Sequence, residues 1–179
     1  MTESEHIENF KKENKENITK LISQMGGFAP LCTIFTHKND NYGVIIVTLP
    51  EDVLDSYENK QKFLKAMPDF FDSIVEDGHR IVCFSYSSEA WLRTADKNGG
   101  VPDNWQSLPK IEALITSYET NDSVSLEIYN IIREGKIVDT EGDLIDCIRL
   151  EKNNDMDSKE GNLQGGFSTI YRDYLKLKN

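Results

Sequence analysis

The chain has 179 residues and carries 20 Lys and Arg against 31 Asp and Glu, a formal charge of −11. A surface of that sign repels phosphate backbones and anionic lipid. Direct nucleic-acid binding and membrane binding are therefore not expected, and the partner to look for is a protein or a second copy of the chain. A chain of this length buries about 70% of its unfolded surface, enough for a core without metal or disulfide staples. An apolar fraction of 38% fits a globular body with polar ends.

Cys32, Cys83 and Cys147 each sit inside an apolar run and none forms a C-x-x-C pair. An odd number without metal spacing reads as buried, reduced thiols in a cytoplasmic protein. No apolar core of a signal peptide appears near the N-terminus, and no run approaches the roughly 18 apolar residues of a membrane span.

Thr2 and Glu5 have capping-box spacing. Ile7, Phe10, Asn14, Ile18, Leu21, Ile22 and Met25 then recur at three and four, with Asn14 the one polar gap, until Gly26-Gly27. This predicts a helix over residues 3–25. Leu31–Phe35 and Tyr42–Leu49, separated by a polar turn cluster, predict a β-hairpin. Val44-Ile45-Ile46-Val47, apolar on both sides, predicts that its second arm is a central strand. A helical stretch opens at Pro50, with a stripe from Phe63 to Val75 that Pro68 is expected to kink or break. Strands follow at about 79–92 and 110–119, the second after the loop "TADKNGGVPDNWQSLP". Then come "SVSLEIYNII", a turn at "REGK", and a last strand Leu144–Leu150. Residues 1–152 make one α+β domain in this reading. Residues 153–179 are a polar linker and a C-terminal helix carrying Phe167, Ile170, Tyr171, Tyr174 and Leu175. The order α-β-β-α-β-β-β-β-α has only one helical crossover between strands. It predicts an α+β fold with a curved, mostly antiparallel sheet of about six strands and helices on one face.

The stretch "SYSSEAWLR" turns a strand that begins Ile81-Val82-Cys83-Phe84 into serines, a carboxylate and an indole. Alternation places Ile81, Cys83, Ser85, Ser87, Glu89 and Trp91 on one face, and Lys110, Glu112, Leu114, Thr116 and Tyr118 on one face of the next strand. If the two strands pair, Glu89, Glu112 and Lys110 converge, rimmed by Trp91 and Trp105. Those five residues are the candidate binding site. They form either a cleft whose carboxylate pair does acid–base or metal-assisted hydrolysis, or an ordinary interstrand Glu–Lys pair under tryptophans.

No other catalytic pattern is present. His6, His37 and His79 lack metal spacing, the acidic loop near Asp155 has Glu160 and Gly166 where an EF-hand needs Gly and Glu, and no nucleophile elbow or phosphate-cradling glycine motif occurs. No cofactor and no metal site are expected.

"SSEAW" at 87–91, the strand start Pro109-Lys110-Ile111-Glu112 and the distal Gly166-Phe167 resemble a set of small bacterial and phage proteins. These share an (S/A)-E-A-W strand end, over roughly residues 80–170. The resemblance implies no activity. The Asn-, Lys-, Asp- and Ile-rich composition suits an AT-rich bacterial or phage genome. The expectation is a non-enzymatic cytoplasmic protein that works by protein–protein binding or self-association through its terminal helices. The alternatives are a hydrolase or nuclease-like enzyme using Glu89 and Glu112, and an acidic inhibitor that mimics nucleic acid.

Overall fold

The computed structural model describes residues 1–93, 103–153 and 165–179. Helix α1 is Glu3–Met25. Its first turn is closed by the capping box, in which Thr2 accepts from the Glu5 N–H and Glu5 accepts from the Thr2 N–H. Its end is closed by Gly26 at φ 77°, a left-handed position that suits glycine. Strands β1 (Leu31–Lys38) and β2 (Asn41–Thr48) follow. They are joined by Asn39 and Asp40, both at positive φ (49° and 60°), as a tight twisted hairpin turn requires. A 3-10 turn, Glu51–Leu54, leads to α2 (Tyr57–Glu76), which Ser56 caps. The remaining elements are β3 (Arg80–Leu92), a short turn at Trp105–Ser107, β4 (Ile111–Glu119), β5 (Val124–Val138), β6 (Leu144–Lys152), a 3-10 turn at Gly165–Ser168 and α3 (Ile170–Lys178).

The six strands form one curled sheet in the order β2-β1-β3-β4-β5-β6, antiparallel throughout. The expected α+β fold and its element order are therefore present. The helices, however, divide between the two faces. Phe10, Ile18 and Ile22 of α1 pack with Leu31, Phe35, Cys83, Leu114, Tyr118 and Ile131. Residues of α2 and α3, with Phe167, pack on the alternate strand positions Cys32, Ile34, Phe84 and Tyr86. Phe71 is the centre of that second layer, edge-on to Phe84 and Tyr171 and tilted against Tyr174. The C-terminal helix thus completes the core on that face, with Phe167, Ile170, Tyr171 and Tyr174 all buried.

Four further expectations change. β2 is an edge strand, not a central one: Ile45 and Val47 pack on the α2 layer, but Val44 and Ile46 face outward on the α1 side. Helix α2 runs through Pro68 without interruption, and the break falls earlier, at Asp55–Ser56. "REGK" is not a turn. Glu134 and Gly135 form a bulge opposite Cys147 inside a long β5, with Gly135 at φ 105°. A second bulge makes Val82 the extra residue of β3 between its pairings with Phe35 and Thr36. It moves Ile81 to the α2 face, away from Cys83, Ser85 and Ser87.

Glu119, at the end of β4, is fully buried and lies against the start of α3. The Arg172 N–H donates to it at 2.8 Å, and the Tyr171 and Ile170 N–H groups face it as well. Desolvation nonetheless raises its pKa to about 7, helped by the charge of Asp173. The folded state therefore keeps a proton that the unfolded chain releases at its ordinary value. This group's contribution to stability is full below about pH 4.5 and falls by roughly 3 kcal/mol as pH climbs to 7. Denaturant unfolding at a series of pH values should show that fall in the unchanged chain and lose it in Glu119→Gln.

Candidate functional site

Pairing of β3 with β4 sets Trp91 opposite Glu112 and Glu89 opposite Leu114. Glu89, Trp91 and Glu112 therefore share the α1 face, with the two carboxylates diagonal to each other. The cation between them is not Lys110, which lies exposed just before β4, but Arg133. The guanidinium of Arg133 donates to both oxygens of Glu112 (2.9 and 2.5 Å), to Asp146 (2.8 Å) and to the carbonyl of Gly26 (2.7 Å). It ties β4, β6 and the C-terminal end of α1 to β5. A cation also suits the partial negative charge of that helix end. Ser23 of α1 donates to the Asp146 carbonyl, reinforcing the same join.

Glu89 is held beneath this knot. A Cβ on Gly27 would lie 3.1 and 3.2 Å from its two oxygens, so the glycine is what lets the backbone pass so close. Burial raises the Glu89 pKa, the neighbouring charge of Glu112 raises it further, and Arg133 and the Phe28 N–H pull it down. One oxygen, Oε1, is buried without a hydrogen-bond partner among the described residues. The cluster sets three carboxylates against the Arg133 guanidinium, which spends four hydrogen bonds on Glu112, Asp146 and Gly26, and a more distant Lys136 ammonium 3.9 Å from Asp146. As chemistry, this offers a carboxyl that holds its proton more tightly than usual, beside a Glu112 with both oxygens engaged. Among the described residues no group of three or more His, Cys, Asp or Glu is placed to hold a metal ion.

The two indoles are both exposed and have different neighbours. Trp91 is 64% exposed beside Glu112, whereas Trp105, 44% exposed, lies under the Arg93 guanidinium at 5.0 Å. Residues 94–102, between them in sequence, lie outside the described residues. The serines of β3 have a structural use: Asn14 of α1, the polar gap in its stripe, donates to Ser85 and accepts from Thr33, and Ser87 bonds Thr116 at 3.0 Å. They satisfy polar groups under a crossing helix.

A second feature lies at the other side of the sheet. Leu49 donates to Pro30 and continues the β1–β2 ladder, which fixes its phase. Asn41, Gly43, Ile45 and Val47 bond to β1, and the backbone N–H and C=O groups of Tyr42, Val44, Ile46 and Thr48 point away from the sheet. Their side chains stand on the α1 face. There α1 runs obliquely: His6 stacks on Tyr42 at 4.0 Å near the hairpin turn, while the far end of the helix reaches β6. Val44 (50% exposed) and Ile46 (61%) are left uncovered, forming one wall of a groove with Phe10, Asn17, Leu21 and Thr33. Among the described residues no strand pairs with this edge. The absence of charge in 41–48 is common to a buried central strand and to an unguarded edge, so the sequence alone does not separate the two.

No protein-family model, no curated protein and no solved structure matches the chain. No helix among the described residues is long and apolar enough to cross a membrane.

Replacing Arg133 by Ala leaves Glu112 without its cation and Asp146 with only the Lys136 ammonium at 3.9 Å. It should lower stability by about 2–3 kcal/mol in urea unfolding. Lys110→Ala should leave the midpoint within about 0.5 kcal/mol of the unchanged chain.

Proposed function

We propose that this is a non-enzymatic protein that works by protein–protein binding or self-association, and that the contact is made by the β2 edge and the groove beside α1. The observation that carries the reading is β2 itself. Eight residues without a charge, with alternate backbone groups unpaired among the described residues and two apolar side chains open to solvent, present the arrangement to which an extended segment adds as a further strand. The terminal helices, expected to reach a partner, instead bury their stripes on the chain's own sheet, which moves the proposed contact to the edge. Free thiols at Cys32 and Cys83, both buried, are in keeping with a cytoplasmic setting. A bacterial or phage origin, as the (S/A)-E-A-W resemblance suggests, fits this reading. The net charge of −11 speaks against direct contact with nucleic acid.

A carboxylate-pair hydrolase has less support, because both oxygens of Glu112 accept from Arg133 and the partner carboxyl Glu89 is pressed against Gly27. The edge reading is tested with a fluorescent peptide of alternating Val and Thr between short uncharged soluble tails. Saturable binding by the full chain, lost in Ile46→Pro, is the expected result. Residue 46 turns its N–H outward, so proline there removes an edge donor while leaving the β1 ladder bonded. A peptide that gives no anisotropy change with the folded chain at any concentration would overturn the assignment.

A further inference from the structure

Resting on that reading, we infer that the occupant of the edge is a second copy of the same chain: β2 pairs antiparallel with β2 of its partner about a two-fold axis passing between the two Ile45 residues. Three observations carry this. The first is charge. A contact between two copies of a chain with net charge −11 is opposed by repulsion unless the meeting surfaces are themselves neutral, and Asn41–Thr48 holds no ionisable group other than the Tyr42 phenol. The opposite edge, β6, carries Asp146, Arg149, Glu151 and Lys152, the kind of edge that resists pairing with another chain.

The second is register. The outward-facing residues are the even-numbered ones. An axis at Ile45 places Val44 opposite Ile46 of the other copy, Ile46 opposite Val44, and Tyr42 opposite Thr48. Each facing pair then exchanges its free N–H and C=O, and the two uncovered apolar side chains of each copy cover one another. A contact in which the same patch serves both copies closes on itself and stops at two.

The third is size. Eight residues at roughly 3.4 Å each make an edge about 27 Å long. With two apolar side chains per copy, this is a contact at or below the lower end of stable specific interfaces, so the dimer is weak and depends on concentration. Asp40 and Glu13 border the edge, so added salt screens repulsion and tightens the pair. A basic protein partner would instead be released by salt.

Light scattering of the full chain over a concentration series should show the mass rising from one chain to two and no further. The midpoint should move to lower concentration on going from about 0.05 to 0.5 M salt, where the screening length shrinks from well over 10 Å to a few ångströms. Ile46→Lys, an exposed substitution, should melt as the unchanged chain does and shift the dimer midpoint at least tenfold. Should that variant misfold, Ile45→Cys serves instead. Residues 45 meet as a non-hydrogen-bonded pair, about 4.5 Å apart at Cα and within disulfide reach, so this variant should cross-link to a dimer under oxidising conditions, and the unchanged chain should not. Mass that stays at one chain, growth beyond two, or a dimer that neither responds to Ile46→Lys nor cross-links through Ile45→Cys would overturn the proposal. Binding of the extended peptide by a chain that stays monomeric overturns the second copy alone and leaves the edge reading standing. Loss of both overturns both.

Discussion

The two central strands, β3 and β4, are buried along almost their whole length, at even and odd positions alike. A strand with two apolar faces cannot be satisfied by a helix layer on one side, and from this constraint the rest of the architecture follows. α1 covers one face, and α2 with α3 covers the other. Because α1 has to reach from the β1–β2 turn to β6, it crosses obliquely. A single helix on that path shields the middle of the sheet and one end of each edge, but not the whole of β2. The uncovered Val44 and Ile46 are the geometric remainder of covering six strands with one helix.

The buried polar groups follow from the same crossing. Asn14 interrupts the α1 stripe where the helix passes over Ser85 and Thr33, and the hydrogen bonds among the three residues are a reason for polarity on both elements at once. At its far end α1 is held by Arg133, whose position depends on the Glu134–Gly135 bulge that re-aims β5. The carboxylates that look catalytic in one dimension, Glu89 and Glu112, are in three dimensions the acidic half of a helix anchor.

Much of the scaffold was legible from residues alone. The α1 boundaries follow from the capping box and the Gly26-Gly27 stop, and the strand positions follow from β-branched runs. The sharing of one face by Glu89, Trp91 and Glu112 follows from period-two alternation once β3 and β4 pair. What was not legible depends on the partner of each run. An apolar run such as Val44–Val47 has the same appearance at the centre of a sheet as at an edge half-covered by α2, and only the strand order separates the two. The bulge at Val82 puts Ile81 out of phase with the rest of β3, the bulge at Glu134–Gly135 reverses face assignments beyond it in β5, and "REGK" carries turn-forming residues whether the chain turns or bulges. Arg133 therefore escaped notice as the counter-ion, and Lys110, nearer in sequence to Glu112, took its place.

The anchoring of α1 also has a consequence for synthesis. Its two principal tethers, Ser23 to Asp146 and Gly26 to Arg133, join residues 123 and 107 positions apart. During vectorial translation the first helix can meet β1 early, but its far end stays untethered until more than a hundred further residues have left the ribosome. Through most of its elongation the nascent chain carries a helix that β1, and later β3 and β4, cover only in part. The N-terminal helix is accordingly the element on which a holding chaperone would act, and the last strand, β6, is the step that releases it.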